Sequence, residues 1–386
     1  MKFLHTGDLH IGKTINDFPM IEDQKHIMKH ITDIALREGV DAIVIAGDIY
    51  DRAIPPAEAV VLLNDYLTQF RKLEIPVFLI SGNHDSPERI SFAEEILQEK
   101  DIYIAGLYQN ELREVCLEDS YGEISFVLMP FVKAAVVGEK SNEDAVMKML
   151  DETNGLHNSG GAPNDKNSKC KKRRVLITHY FVTDGGKEPE LSESETTIHV
   201  GGLDNVEAAL LDGFDYVALG HIHKPQKIGD KNIYYAGAPL AYSFSESGTT
   251  KSVNIVEMKQ KGDILVRQIP LVPLHEMRKI RGKLEDLIQP DIVEAANCFD
   301  YIQASLTNEE ELIDPIGTLR SVYPNIMQII LTKNEMAGQA EYESKAAERR
   351  KSIPELFADF YEIVREGQPD EERRTVIEEA AREAGE

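Results

Sequence analysis

The stretch Ala42–Asp51 reads AIVIAGDIYD. Five apolar or small residues, Ala42 to Ala46, include the β-branched Ile43, Val44 and Ile45 with no polar alternation. Such a run predicts a short strand buried on both faces. Gly47 ends it and Asp48 follows. The strand therefore delivers a carboxylate to the mouth of a sheet, where α/β proteins bind ligands. Taken singly, an apolar run followed by Gly-Asp is a common strand-end turn.

The arrangement recurs. Phe3–Gly7 leads to Asp8-Leu9-His10, and Val77–Gly82 leads to Asn83-His84-Asp85. Val175–Thr178 leads to His179, and Tyr216–Gly220 leads to His221-Ile222-His223. Five apolar runs that each present Asp, Asn or His just past their ends form a constellation that chance does not supply.

Of the 386 residues, 42% are apolar and 28% charged, enough for two or three domains with a sizeable core. No apolar stretch reaches the length of a membrane-spanning helix, and the start, MKFLHTGDLH, has too short an apolar run for a signal peptide. Cys116, Cys170 and Cys298 have neither metal-type spacing nor a disulfide pattern, which points to a reducing cytoplasm. The net charge of -25 argues against a generic basic nucleic-acid binder.

In chain order, the pattern predicts a helix over 17–38 ending at Gly39, and a second from Pro55-Pro56 to about Leu73 whose apolar face is wider than one core contact needs. A third is expected over 87–98. Strands alternating with these helices give a largely parallel α/β half. From Ile102 the rhythm changes to strands at 102–105, 113–117 and 124–129, with a helix at 141–150. Residues 152–174 read as a loop ending in Lys169, Lys171, Lys172, Arg173 and Arg174, a basic run that reads as a solvated linker or a phosphate-backbone contact. Strands at 233–236, 253–258 and 264–271 follow, and these are assigned to a second sheet. Past Pro270 and Pro273, strands at 277–280, 301–307 and 326–331 with helices at 283–297 and 315–322 predict a small α+β domain. The expected domains are thus 1–272, 273–334 and 335–386. In the last, Ser352-Ile353-Pro354-Glu355 is a capping-box pattern, and Ile353, Phe357, Phe360 and Val364 make one stripe. That helix packs on its own domain or serves as a partner-binding helix.

The five motifs supply Asp8, His10, Asp48, Asn83, His179, His221 and His223. Mixed carboxylate, imidazole and amide donors suit divalent Mn, Fe or Zn, and seven exceed what one tetrahedral ion needs. Two ions about 3.5–4 Å apart sharing one carboxylate would clamp the attacking and leaving oxygens of a phosphate ester. His84, next to Asn83, can stabilise charge or protonate the leaving oxygen without being a ligand. His5, His26, His30, His157, His199 and His275 fall outside the motifs and read as ordinary polar histidines.

In order, these motifs resemble the calcineurin-like metallophosphoesterases over residues 1 to about 240. GDLHIGK, GDIYDRAIPP, GNHDSPERI, GHIHKPQ and YYAGAPLAYSF are closer still to the SbcD type of DNA-repair exonuclease subunit. The resemblance implies an α/β fold, a two-sheet αββα sandwich with a small capping domain and a C-terminal helical partner-binding segment. It implies one metal held by Asp8, His10, Asp48 and His223, a second by Asp48, Asn83, His179 and His221, and manganese as the usual ion. His84 is then the catalytic histidine, with Asp85 orienting it. DNA is the substrate, cut by exonuclease action on duplex ends and endonuclease action on single strands or hairpins, in repair and recombination. The terminal helices bind an SbcC-type coiled-coil ATPase. A homodimer forms through helices at about 57–71 and 87–98. The acidic total departs from this picture and leaves much of the DNA affinity to the ATPase. Two alternatives compete, a small-nucleotide phosphodiesterase or phosphatase of the same fold and a catalytically silent scaffold. The extra domain counts against the first, and a buried Asp/His cluster, costly without a metal, against the second.

Overall fold

In the computed structural model, which describes residues 1–153, 172–195 and 204–331 together with Arg373 and Val376, every residue of the strand Ala42–Ile45 is buried. Its neighbours explain why. Lys2–Thr6 and Val77–Ile80 pair with it on either side, both parallel. The first sheet runs 264–270, 252–258, 2–6, 42–45, 77–80, 102–105, and the second runs 226–228, 233–235, 216–219, 173–178, 122–128, 113–119.

Strand alternation divides the side chains into three apolar layers. Phe3, Val44, Phe78, Phe126, Val175 and Tyr216 point into the space between the sheets. There Phe78 stacks on Phe126 at 4.2 Å, and Phe3 meets Tyr216 edge-on at 5.5 Å. Leu4, Ile43, Ile45 and Leu79 point outward onto Ile27, Ile31, Leu63 and Phe70 of the helices Ile21–Glu38 and Ala57–Lys72. On the far side Val127, Leu176 and Val217 meet Val146, Met149 and Leu150 of the helix Asn142–Glu152. The result is the α/β two-sheet sandwich that the sequence implies. A third sheet of parallel strands, Met277–Gly282, Tyr301–Leu306 and Ile326–Leu331, has its own core around Leu284, Ile302, Leu319 and Tyr323.

Several elements differ from expectation. The strands 252–258 and 264–270 join the first sheet, not the second, because Lys2–Thr6 takes 252–258 as its antiparallel neighbour. The first helix starts at Ile21. Asn16 and Asp17 both have positive φ and turn the chain so that Ile15 pairs with Phe18, a two-residue hairpin of the I′ kind. The helix expected over 87–98 is two pieces, Pro87–Ile90 and Glu94–Gln98, broken where Ala93 adopts φ 61°. That over 283–297 is likewise split, with Pro290 opening the second piece, since proline cannot continue the preceding helix.

Within the described part of the basic run, Arg173 and Lys172 are engaged inside the fold. Arg173 is 1% exposed. Its guanidinium forks onto Asp119 and donates to the carbonyls of Met258, Lys259 and Gly122, tying the edges of the two sheets together. Arg173 is thereby closed to a phosphate. Lys172 pairs with Glu114 and Glu123. Lys169, Lys171, the helix expected over 352–364 and its connector lie outside the described residues. Among the described residues, no helix is long and apolar enough to cross a membrane.

Candidate metal centre

The parallel strands of both sheets end at one place. Past Lys2–Thr6 and Ala42–Ile45 the two segments run side by side for one more turn, with Asp8 N bonded to Gly47 O at 3.1 Å and His10 N to Asp48 O at 3.0 Å. Asp8, His10 and Asp48 sit there with φ of 50°, 44° and 48°. Left-handed backbone at non-glycine residues costs on the order of 1–3 kcal/mol each and persists where the surroundings over-determine it. The close approach also dictates glycine. A Cβ on Gly82 would lie 2.2 Å from Asp48 Oδ1, and one on Gly220 would lie 1.9 Å from Ala46 O.

All seven expected donors meet in this cleft. His10 Nε2 lies 3.1 Å from His223 Nε2, and Asp8, His10 and His223 each bring one donor atom within 4.8 Å of the others. On the other side, Asn83 Oδ1 faces His179 Nε2 at 3.1 Å and His221 Nδ1 at 2.9 Å. Asp48 Oδ2 stands between the two groups, 3.6 Å from His10 Nε2 and 3.3 Å from His179 Nε2. Asp8, His10, Asp48, His179 and His223 are buried, while Asn83, His84 and His221 form the open mouth.

The donors are held by their other atoms. His179 Nδ1 faces Ala46 O at 2.8 Å, which leaves Nε2 for the cleft. Asp8 Oδ1 accepts from His221 N at 2.8 Å, and Asp48 Oδ1 from His84 N at 2.9 Å. Asp8 Oδ2 is buried without any partner. Two imidazole nitrogens in contact, an orphaned buried carboxylate oxygen and a carboxylate between two histidine groups fit a pair of divalent cations.

Electrostatics agree. Burial pushes the Asp8 carboxyl up to about 6. Burial also opposes the Asp48 charge, but His179, His10 and His84 hold that carboxyl well below its ordinary range. Burial would lower His179, yet Asp48 and Asp8 raise it to about 9. Burial keeps His10 and His221 low, hence neutral with lone pairs free. Two buried carboxylates beside neutral or proton-hungry imidazoles make a site that a cation completes.

Asp85 does something other than orient His84. Its oxygens accept from Ile49 N at 3.0 Å, Gly82 N at 2.9 Å and Tyr50 N at 2.9 Å. It therefore clamps the Asp48 loop to the Asn83 loop. The group that faces His84 Nδ1 is the carbonyl of Asp51, at 3.0 Å. A His84 ring nitrogen also comes within 4.8 Å of donors on His10 and Asp48.

Other supporting residues, Tyr242 apart, carry no motif. Gln24 Nε2 donates to His10 O at 2.7 Å while its Oε1 accepts from Gly12 N at 2.9 Å. Its neighbour Asp23 accepts from Tyr301 OH at 2.7 Å and from His275 N at 3.1 Å, both in the 273–331 unit. Tyr242 sets its ring edge-on to His10 at 5.6 Å. Ser194, Glu195, Glu246 and Lys251 lie behind His223. Of the histidines read as ordinary, His5 is fully buried and links the sheets, with Nδ1 3.0 Å from Tyr216 OH and Nε2 3.2 Å from Leu219 O. His26 and His30 bond Val272, and His275 bonds Asp23; His157 and His199 lie outside the described residues.

Residues 1–225 match the family described as calcineurin-like phosphoesterase, and 273–365 match one described as type 5 capsule protein repressor C-terminal domain. Over 362 residues the sequence is 30% identical to the SbcD component of the nuclease SbcCD from Staphylococcus epidermidis, covering 94% of this chain and 92% of that protein. The chain is a calcineurin-like phosphoesterase of the SbcD type. Among solved structures it is similar to a dimetal phosphatase from Danio rerio, at 11% identity over 71% of this chain and 98% of that one, with a TM-score of 0.41. A phosphoesterase from E. coli, YfcE, is similar at 13% identity over 70% and 100%, with a TM-score of 0.29. Overlaps this loose add nothing to the family match. For a calcineurin-like phosphoesterase, a cleft of carboxylate and imidazole donors at the strand ends is the expected place for divalent metals.

Proposed function

We propose that this phosphoesterase is the nuclease subunit of an ATPase–nuclease complex, hydrolysing DNA phosphodiesters with two manganese ions. The observation that carries the reading is the position of Asp48 Oδ2 between His10 Nε2 and His179 Nε2, at 3.6 and 3.3 Å. In it, Asp8, His10, Asp48 and His223 hold one ion, and Asp48, Asn83, His179 and His221 hold the other. When bound, such a pair activates water and neutralises charge on a phosphate ester. The chain's own contribution is orientation and proton transfer. The Asp51 carbonyl, which can only accept, keeps a proton on His84 Nδ1, so a second proton on Nε2 makes His84 a cationic acid for the leaving oxygen. The cleft belongs to the proposed nuclease domain, 1–272, with 273–334 as the cap and 335–386 as the partner-binding segment. The relative's name supports a nuclease that works with an SbcC subunit; DNA as substrate and the ATPase character of the partner rest on the resemblance of the motifs.

The test compares duplex ends, hairpin DNA and a chromogenic phosphodiester as substrates, with manganese or EDTA, with and without the ATPase. DNA cleavage that needs manganese supports the reading. Turnover of the small ester with no DNA cleavage under any condition sinks it.

The same reading includes a twofold dimer on the face between Ala57–Lys72 and Glu94–Gln98. Phe92 is 80% exposed and Ile96 68%, and Val60 and Val61 are also exposed. Val60, Leu67 and Phe92 line a cleft of about 330 Å³. Leu63, by contrast, is 8% exposed and belongs to the chain's own core, so a charge there would test folding instead. Val61→Glu with Phe92→Glu should convert a dimer to a monomer by sedimentation; a wild-type monomer at micromolar concentration rules the dimer out. The ATPase contact is assigned to the Ile353–Val364 stripe, and removing residues 338–386 should abolish co-purification with the ATPase while leaving metal content intact. Complex formation by the shortened chain would move that contact elsewhere.

A further inference from the structure

A polar chain, half-buried at Ser192 and Ser194 and buried at Glu246 and Lys251, runs from His223 away from the cleft. His223 Nδ1 meets Ser194 Oγ at 2.8 Å, and Ser194 Oγ meets Glu246 Oε1 at 2.6 Å. Ser192 Oγ lies 2.7 Å from Ser194 Oγ. Glu246 Oε2 accepts from Lys251 Nζ, which also donates to His223 O at 2.9 Å. Glu246 and Lys251 are 4% and 6% exposed. His223 N donates to Glu195. The ring, backbone N–H and carbonyl of His223 are thus all held from this side.

The proton positions follow from valence. A serine hydroxyl donates once and accepts twice. A carboxylate paired with a lysine only accepts, so the Ser194 proton goes to Glu246. Ser194 must then accept at His223, and the imidazole proton is on Nδ1. The Nε2 lone pair is left facing His10 and Asp8. We propose that Ser194, Glu246 and Lys251 are positioning residues that fix the tautomer of His223, and thereby hold the cation-facing nitrogen free of its proton. This rests on the two-cation reading for its purpose, but the tautomer is a property of the metal-free protein. Partners that fix a ligand histidine from behind commonly change metal affinity about 10–100-fold when removed.

The direction of each bond makes the proposal sharper than a packing role. In Glu246→Gln, the cationic Lys251 is the stronger donor and takes the amide oxygen, at the expense of the weaker contact from Tyr242 N at 3.3 Å. The amide NH₂ then faces Ser194, whose hydroxyl accepts from it and donates to His223 Nδ1. The imidazole proton moves to Nε2, where it competes with a cation. Ser194→Ala removes the acceptor without imposing the wrong tautomer, and Ser194→Thr keeps the hydroxyl.

The experiment uses the full chain, stripped with EDTA, with ¹⁵N-labelled histidine and His223 assigned by substitution. Wild type should show the proton on His223 Nδ1, and Glu246→Gln should show it on Nε2. In calorimetric titration with manganese, Glu246→Gln should weaken one of two sites by about 10–100-fold. Ser194→Ala should weaken it less, and Ser194→Thr should restore it. A wild-type proton on Nε2 overturns the proposal, as does a folded Glu246→Gln that keeps Nδ1–H and wild-type affinity. Should Glu246→Gln not fold, the Ser194 pair decides: wild-type affinity in the alanine variant, or no rescue by threonine, overturns it. Wild-type protein that keeps Nδ1–H yet binds no manganese would refute the two-cation reading while upholding the tautomer assignment.

Discussion

Asp48→Asn is expected to strip both cations and bring nuclease activity to background. The substitution keeps the side chain's shape and can still accept from His84 N, which bonds Asp48 Oδ1 at 2.9 Å. It also keeps a residue type that tolerates φ 48°. What it removes is the charge on the oxygen standing between His10 and His179. A ligand shared by two ions serves both, so metal content should fall from two per chain toward none, with circular dichroism unchanged. Asp48→Ala should do the same with added backbone strain of about 1 kcal/mol. Two tightly bound ions and a near-normal rate in Asp48→Asn would end the bridging assignment.

His84→Gln should lower the rate by a factor on the order of 10²–10⁴ and leave both ions in place, as fits a proton donor. Geometry makes this a real choice, because His84 lies within 4.8 Å of donors on His10 and Asp48. What distinguishes it is the Asp51 carbonyl at Nδ1, which fixes the ring at the open mouth of the cleft. Metal analysis decides between the roles. Loss of an ion together with activity would make His84 a ligand and displace it as the acid.

The donor set is legible because each member follows an apolar strand by one to four residues, and the parallel strands of both sheets end on a common side. Sheet membership is less legible. Strand 252–258 pairs with Lys2–Thr6 from the other end of the domain's sequence, and nothing local in VNIVEM records its partner. The break at Ala93 is hidden because ISFAEEIL keeps a helical composition through a left-handed residue. The resemblance gives Asp85 to its neighbour His84, whereas its oxygens face three backbone N–H groups. Glu246 and Lys251 share the segment before strand 252–258, but Ser194 reaches them from a loop some fifty residues earlier, and no motif links the three. Asp23 and Gln24 do leave a trace: they fall three and four residues after Met20 on the stripe that Ile27 and Ile31 continue, so two polar residues occupy buried positions.

Those two residues have a thermodynamic consequence. They are consecutive in the first turn of one helix, Asp23 gripping the 273–331 unit through Tyr301 and His275, Gln24 gripping the loop that carries His10. A displacement of that unit which drags Asp23 also drags the amide holding His10 O. Binding equilibria joined in this way form a closed cycle, so a ligand preferring one position of the 273–331 unit alters cation affinity by the same factor by which cations alter its own. Couplings of this kind are typically about 5–150-fold, and this one exists only to the extent that the 273–331 unit moves with Asp23.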